Sequence, residues 1–310
     1  MKRQAILVTG ALGHIGSALI RSFDPSQVEE IILLDNLESQ RYPTLFDLPS
    51  GSKYRFIQAD IRSVDWTSIL HEVDIVIHLA ALTNAENSLD KNEEFNSINF
   101  EAVKQLADAC LQQKKKLIFP STTSVYGSQA DQVDETCTEL QPQSPYADSK
   151  LKSEQYLQAL ASKGLQVSLC RFGTIFGWSV GMRFHTAVNK FIWQAVSGQP
   201  ITVWKTAWQQ RRPYLALSDC LKAIHFILDH DMFDGEIYNV VSHNFTVEQV
   251  VEAIKKIIPT TEIIFVESRI MNQLSYDVRA EKFASKGFLP HGQLDQGVEE
   301  TIKHLQALYS

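Results

Sequence analysis

A tyrosine and a lysine stand four residues apart, at Tyr146 and Lys150, in a segment that opens with Ser144 and Pro145. Serine followed by proline predicts a helix start, because the serine hydroxyl caps the first turn and proline suits the first helical position. On that helix the two side chains share one face. A lysine ammonium beside a phenol favours the phenolate and lowers the tyrosine pKa. Such a tyrosine can pass a proton to or from a carbinol oxygen while a hydride moves to or from a nicotinamide.

Hydroxyl side chains precede this helix in the chain. They follow the apolar run Leu117–Phe119, which predicts a buried strand ending in a Ser/Thr cluster. Thr122, or a neighbouring hydroxyl, can bond the reacting oxygen and fix it about 3 Å from the phenol. The Y-x-x-x-K spacing alone is common in surface helices, but its position after a strand and a hydroxyl cluster favours a catalytic interpretation.

A glycine-rich turn near the start of the chain predicts a phosphate site. An apolar run ends at Thr9, and Gly10, Gly13 and Gly16 follow before a helical pattern. Glycine lets the backbone approach a pyrophosphate closely, and a helix start directs free N–H groups at its charge. A second apolar run ends at Asp35, about 20 residues past the last glycine, the usual place for a ribose-binding acid. Because that acid would repel a 2′-phosphate, the pattern predicts NAD rather than NADP.

The elements around these residues predict a doubly wound parallel α/β sheet, the Rossmann arrangement. Strand and helix patterns alternate from about residue 5 to 172 and then break. We expect an NAD-binding domain over residues 1–172, to which 213–241 return. Residues 173–212 and 242–310 would form a second, smaller α/β substrate-binding lobe. That lobe would close over the carboxyl edge of the sheet, where ligands of such folds bind.

Composition limits the classes of function. The 310 residues are 44% hydrophobic and carry a formal net charge of −7, which argues against a general affinity for nucleic acid or an anionic membrane surface. The four cysteines show no metal-ligand spacing, so we expect no metal and a reducing compartment. The chain opens directly on a core strand, and no apolar stretch is long enough to span a bilayer. We therefore expect a soluble, cytoplasmic protein.

The motifs together resemble those of the extended short-chain dehydrogenases/reductases, in the branch of nucleotide-sugar epimerases and dehydratases that includes UDP-glucose 4-epimerase-like members. The resemblance spans nearly the whole chain. In chain order the motifs are T-G-x-x-G-x-x-G from Thr9, Asp35-Asn36, Asp60-Ile61, His78-Leu79-Ala80-Ala81, Asn99, S-T-x-x-V-Y-G from Ser121, Tyr146-x-x-x-Lys150, R-F-G-x-I-F-G from Arg171, and Arg212-Pro213-Tyr214.

The resemblance implies a set of cofactor contacts. Asp60 and Ile61 would bracket the adenine, and the segment Leu79–Ala81 would pass along the pyrophosphate and the nicotinamide ribose. The full set that it implies is Gly10, Gly13, His14, Ile15, Gly16, Asp35, Asn36, Asp60, Ile61, Leu79, Ala80, Ala81, Asn99, Tyr146 and Lys150.

The substrate contacts that it implies are Thr122, Thr123, Tyr146, Thr174 and Arg212. Thr122 matches the catalytic Ser or Thr of the family, and Arg212 matches an arginine that commonly grips the substrate diphosphate. An alternative for Arg212 is a solvated surface charge. Thr174 departs from the pattern, since asparagine is frequent at its position.

A second departure concerns the reaction. In the family's 4,6-dehydratases Asp-Glu usually follow the catalytic Thr, whereas Thr123 and Ser124 stand here. Without these acids the sequence gives little support to water elimination or to decarboxylation. Hydride withdrawal and return, by contrast, requires only the Tyr, Lys and Thr. We expect an NAD-dependent nucleotide-sugar epimerase that inverts C4 through a keto-sugar. The alternatives are a nucleotide-sugar 4-reductase or dehydrogenase with net NAD(H) turnover, and a catalytically silent dinucleotide-binding regulator.

Apolar residues on two helices suggest an assembly. Phe100, Val103, Leu157 and Leu160 lie outside the single apolar stripe that each helix needs for its own core. In the family these two helices form a four-helix interface with a second subunit. We therefore expect a two-fold symmetric homodimer.

Overall fold

The computed structural model describes residues 3–83, 91–127, 132–267 and 275–307. In chain order the strands are β1 (Gln4–Thr9), β2 (Val28–Asp35), β3 (Lys53–Gln58), β4 (Ile75–His78), β5 (Lys116–Thr122), β6 (Gln132–Val133), β7 (Val167–Phe172), β8 (Thr174–Phe176), β9 (Ile201–Trp204), β10 (Arg211–Ala216), β11 (Asp234–Val240), β12 (His243–Thr246), β13 (Ile263–Val266) and β14 (Asp277–Val278). The α-helices are α1 (His14–Leu19), α2 (Trp66–Leu70), α3 (Asn92–Asn96), α4 (Ala102–Gln113), α5 (Pro145–Ala161), α6 (Ala187–Val196), α7 (Leu217–Asp229), α8 (Val247–Ile257), α9 (Glu281–Ser285) and α10 (Leu294–Gln306).

Seven parallel strands form the central sheet, in the order β3-β2-β1-β4-β5-β7-β11. The middle strands are buried on both faces, which explains their continuous apolar runs. Helices α1, α7 and α9 cover one face, and α2, α4 and α5 cover the other. This arrangement confirms the predicted doubly wound sheet.

A smaller lobe follows the sheet. Strands β8, β10 and β12 form a three-stranded sheet, β9 pairs with β13, and α6, α8 and α10 share a separate apolar core. The lobe boundary differs from the prediction at two places. Residues 213–216 belong to β10 of the small sheet, because Tyr214 pairs with Thr174 of β8. Helix α9 packs on the large sheet instead, where the ring of Phe283 lies 5.1 Å from that of Tyr238.

The long helix predicted near residues 93–113 is interrupted. Helices α3 and α4 are joined by a π-helical turn over Ser97–Glu101. Within that turn the Asn99 amide bonds both backbone groups of Leu82, accepting from its N–H and donating to its carbonyl, each at 2.9 Å. The turn thereby anchors the segment that follows β4.

Three of the four residues from which a subunit interface was expected lie in the chain's own core. Val103, Leu157 and Leu160 pack between the sheet and helices α4 and α5. Phe100 is partly exposed, with its ring 6.4 Å from that of Tyr156. The apolar excess on these helices therefore reflects their burial against each other and the sheet. Among the described residues, every helix is too short or too polar to cross a membrane.

A buried ion pair joins α5 to β7. The Arg171 guanidinium bonds the Glu154 carboxylate at 2.7 Å, and the two side chains are 3% and 1% exposed. Ser121, near the end of β5, donates a further hydrogen bond to Glu154. A buried charge loses its compensation when its partner is removed, so this pair ties the two elements together.

We predict that Glu154→Gln lowers the free energy of unfolding by about 3 kcal/mol, because Arg171 would stay buried without a counter-charge. Urea denaturation measures the effect. The matched control is Asp295→Asn in the exposed Lys256–Asp295 pair, whose side chains are 65% and 64% exposed. That change should cost less than about 0.5 kcal/mol. Equal effects for the two variants would contradict this assignment.

Candidate functional site

A cavity of about 440 Å³ opens at the carboxyl ends of β1, β2, β3 and β4. Parallel strands of this kind bind ligands at that edge, where the chain reverses direction across the sheet. Nine of the predicted cofactor contacts line it: Gly10, Gly13, Asp35, Asn36, Asp60, Ile61, Leu79, Ala80 and Ala81.

The glycine turn lets two strand ends meet. Gly10 has a φ of +63°, and a Cβ there would stand 2.7 Å from the backbone nitrogen of Ala80. A Cβ on Gly16 would lie 2.5 Å from the Gly10 oxygen. Gly13 is different, because a Cβ there would meet only the Gly10 oxygen at 3.2 Å and an Arg183 nitrogen at 4.0 Å. The turn thus presents bare backbone to the cavity, which fits a dinucleotide pyrophosphate.

Asp35 is fixed at the edge of this cavity. Its carboxylate accepts hydrogen bonds from the backbone N–H groups of Leu12 at 3.1 Å and Leu37 at 3.0 Å. Each oxygen keeps a further lone pair, so the group can also accept from ribose hydroxyls. Asp60, farther along the cavity wall, is held by two donors of Arg62, at 3.0 and 2.5 Å. These bonds lower the pKa of Asp60.

Four predicted cofactor contacts lie behind the cavity wall. His14 is buried and its Nε2 bonds the Gly177 carbonyl at 2.9 Å, and burial lowers its pKa to about 4. Ile15 packs on the apolar core, Gly16 packs on the turn, and Asn99 holds Leu82. These four residues therefore hold the cavity wall in position and do not themselves line the cavity.

The predicted catalytic residues meet at the end of β5. Ser144 caps α5 by accepting from Ala147 at 3.2 Å, which sets Tyr146 in the first turn. The Tyr146 side chain lies beside that of Thr122, the last residue of β5, and the two groups interact. Lys150 is buried, and its Nζ donates to the Pro120 carbonyl at 2.8 Å.

The electrostatics of this group differ from the expectation. Burial raises the pKa of Tyr146, and the interaction with Thr122 and the positive charge of Arg183 oppose that rise. Burial lowers the pKa of Lys150 to about 8, and the negative charge of Glu154 opposes that fall. The expectation that Lys150 lowers the tyrosine pKa is therefore corrected. The ammonium donates to the Pro120 carbonyl, and its Nζ lies 4.5 Å from the centre of the Phe119 ring.

Thr123 is turned away from the catalytic group. Its hydroxyl donates to the Phe172 carbonyl at 3.3 Å, and its side chain is buried. Its place as a substrate contact is corrected, since Ser124 is the hydroxyl that accompanies Thr122, with the two side-chain oxygens 3.2 Å apart. The reason is geometric, because the strand ends at Thr122 and the chain turns into a 3-10 helix over Thr123–Tyr126.

Thr174 and Arg212 lie on neighbouring strands of the small sheet, β8 and β10. Arg212 donates to Gln210 at 3.2 Å and has no ion pair within the described ranges. Its neighbour Arg211 is paired with Asp277 at 2.7 Å. Among the described residues Arg212 thus has no ion-pair partner, and both interpretations of it, a diphosphate contact and a solvated charge, stay open.

Sequence reasoning missed the basic residues of the cavity. Arg41, Lys91, Arg183 and His185 line it together with the glycine turn. They lie in irregular segments that carry no motif, so only the folded chain brings them to the site. Where the structure describes the chain, no cluster of His, Cys, Asp or Glu could hold a metal ion.

Comparisons with known proteins agree on one family. The model of the NAD dependent epimerase/dehydratase family matches residues 6–240. The chain is 29% identical to the uncharacterized UDP-glucose epimerase YtcB of Bacillus subtilis (strain 168), over 98% of each protein. It is 28% identical to the dTDP-D-glucose 4,6-dehydratase of Mus musculus, over 96% of this chain and 87% of that protein.

Two solved structures have the same fold over almost the entire chain. UDP-glucuronic acid 4-epimerase from Bacillus cereus, in complex with UDP-glucuronic acid and NAD, is 25% identical with a TM-score of 0.88, covering 98% of this chain and 100% of that one. MoeE5 in complex with UDP-glucose and NAD is 27% identical with a TM-score of 0.85, covering 99% and 100%.

We predict that the stripped protein binds NAD more tightly than NADP, because Asp35 would repel a 2′-phosphate. Asp35→Asn should weaken NAD roughly tenfold and narrow the difference between the two cofactors. Titration with both dinucleotides measures this. Glu38→Gln is the control, since Glu38 is an exposed acid of the same cavity lining. Equal or tighter binding of NADP by the unmodified protein would show that Asp35 does not select the cofactor.

Proposed function

The chain belongs to the NAD dependent epimerase/dehydratase family, and we propose that it inverts C4 of a nucleotide-linked hexose or uronate with no net oxidation. NAD as cofactor and a nucleotide-sugar enzyme as the class were both expected, and the family and its relatives confirm them. The observation that carries the proposal is the catalytic set itself. It holds a phenol, a hydroxyl and an ammonium, and the two positions after Thr122 are hydroxyl residues.

Tyr146 is the proton-transfer group of the proposed reaction. Its phenol oxygen takes the proton of the sugar hydroxyl. It returns the proton after the keto-sugar has rotated in the site to present its other face. Thr122 orients the reacting oxygen, because its hydroxyl lies beside the phenol at the end of β5. Bound NAD supplies the reversible hydride acceptor. Lys150 donates to the Pro120 carbonyl and keeps a positive charge near the N-terminal end of α5.

The same residues argue against the other reactions of the family. Water elimination needs an acid and a base beside the catalytic Thr, and Thr123 and Ser124 supply neither. The buried acid on α5, Glu154, is bonded by Arg171 and Ser121. A reductase or dehydrogenase with net turnover uses the same set, so it stays the alternative. A silent regulator would have no use for the Tyr146, Lys150 and Thr122 set.

We place the substrate between the two lobes. Arg212 suits the diphosphate, because a guanidinium binds phosphate oxygens with two parallel hydrogen bonds. Thr174, on the adjacent strand β8, faces the same region of the small sheet and would contact the sugar nucleotide. Thr122 and Tyr146 then define the carbon that reacts.

For the assembly we propose a homodimer through the outer face of α5 and of α4 with the π-helical turn that precedes it. Phe100, Leu151 and Tyr156 are partly exposed there. The two-fold arrangement known for the family remains the basis of this proposal. We place the enzyme in the cytoplasm, which its four free cysteines support.

We predict that Tyr146→Phe lowers turnover roughly a thousandfold while the fold and NAD binding persist, since only the proton-transfer group is lost. Lys150→Ala should lower turnover and weaken NAD as well. Steady-state kinetics and a cofactor titration separate the two effects. Tyr238→Phe is the control, because its hydroxyl bonds Asp234 at the start of β11, away from the carboxyl edge of the sheet. Near-normal turnover of Tyr146→Phe on the true substrate would exclude the mechanism.

We also predict that the reaction needs no added NAD and causes no lasting change in nicotinamide absorbance. A substrate deuterated at C4 should keep its label in the product, because the hydride returns to the carbon it left. Product analysis by NMR after incubation with a panel of nucleotide sugars measures both. Stoichiometric NADH, or label in the NADH pool, would move the assignment to the dehydrogenase or reductase.

A further inference from the structure

One segment of the smaller lobe crosses the glycine turn of the larger domain. This crossing segment comprises residues 177–186, between β8 and α6. Three hydrogen bonds of 2.9 Å tie it down: His14 Nε2 with the Gly177 carbonyl, Ser179 Oγ to the His14 carbonyl, and the Gly181 N–H to Ser17 Oγ. Gly181 lies so close that a Cβ there would be 2.3 Å from the Leu12 carbonyl oxygen.

The backbone of Arg183 is also held from its own lobe. Asn189 of α6 is fully buried, and its side-chain oxygen accepts from the Gly177 N–H at 3.2 Å. Its side-chain nitrogen donates to the Arg183 carbonyl at 3.1 Å. One amide thus bonds the crossing segment at both Gly177 and Arg183, so the position of Arg183 above the turn is determined by both lobes.

The Arg183 guanidinium points into the cofactor cavity. Its Nη1 donates to the Thr83 hydroxyl, and its Nη2 lies 4.0 Å from where a Cβ of Gly13 would stand. Its charge acts on both Asp35 and Tyr146. The guanidinium therefore lies within electrostatic range of both the ribose-binding acid and the catalytic phenol.

Among the described residues, no acid lies within ion-pair distance of this positive charge. Burial, and then the positive charge of Arg41, lower the pKa of Arg183 to about 10, while the charges of Tyr146 and Asp35 oppose that fall. Two guanidinium groups on one cavity wall favour a ligand with more than one negative oxygen.

We propose that Arg183 binds the pyrophosphate of the dinucleotide from the substrate lobe, opposite the glycine turn. This inference rests on the proposed function, which makes the cavity an NAD site. Both lobes would then hold the cofactor, which suits a reaction that consumes none of it. From the same position the guanidinium favours the phenolate of Tyr146.

The test compares ligands with and without the pyrophosphate, in the absence of substrate. In Arg183→Gln, the affinities for NAD and ADP-ribose should both fall roughly tenfold or more, while the affinity for adenosine stays unchanged. Calorimetry or competition binding on the stripped full-length protein measures all three. Arg55→Gln is the control, since Arg55 pairs with Glu72 outside the cavity. If the Gln variant does not fold, Arg183→Lys and Thr83→Val carry the test, with smaller losses for NAD and ADP-ribose only.

A second readout is the pH profile of turnover. Loss of the positive charge should move the acidic limb to higher pH in Arg183→Gln, and Arg183→Lys should restore part of the shift. Unchanged ADP-ribose binding, or an equal loss for adenosine, would overturn the proposal. So would a variant that keeps NAD but raises KM for a UDP-uronate and not for a UDP-hexose, because the guanidinium would then serve a sugar carboxylate. Absence of epimerase activity in the unmodified enzyme would instead count against the proposed function, and the ADP-ribose result would still stand.

Discussion

The site depends on the close approach of two backbones at the carboxyl ends of β1 and β4. Gly10 meets Ala80 at a distance that excludes any side chain. The Thr9 hydroxyl reinforces the contact, since it accepts from the Ala80 N–H at 3.2 Å and bonds His78 at 2.9 Å. Because β1 and β4 are central in the sheet, the cavity opens where the chain changes direction. The backbone of Gly13, which carries no side chain, lines this cavity.

The catalytic group is built on a second rigid joint, between β5 and α5. Lys150 bonds the Pro120 carbonyl, and Glu154, one turn later, bonds Arg171 of β7. These contacts are buried, so the helix cannot rotate without exposing a charge to apolar surroundings. Tyr146, at the start of the same helix, is thereby held against Thr122. A proton-transfer group on a helix locked in this way is oriented before any substrate arrives.

Features decided by local pattern could be predicted from the sequence. The alternation of elements, the glycine turn and the one-sided Tyr146–Lys150 pair follow from periodicity and spacing. Spacing did not reveal that Lys150 donates to the Pro120 carbonyl. Two residues on one helix face need not contact each other, because the position of a long side chain's terminal group depends on its rotamers. Nor could periodicity tell that Leu157 packs inside the chain, since a helix between a sheet and another helix is apolar on two sides. Arg183 carries no local signal, and its position depends on contacts between segments far apart in the chain.

The electrostatics of Tyr146 suit a reaction that runs in both directions. A strongly lowered pKa would make the phenolate abundant but a poor acceptor for the sugar proton, and a strongly raised pKa would make it scarce. Burial raises the pKa, while Thr122 and Arg183 oppose the rise. In an epimerase, one group must accept a proton and return it within the same catalytic cycle. Because Thr122 and Arg183 both counter the effect of burial on this phenol, the proton transfer is linked to the lobe that carries Arg183.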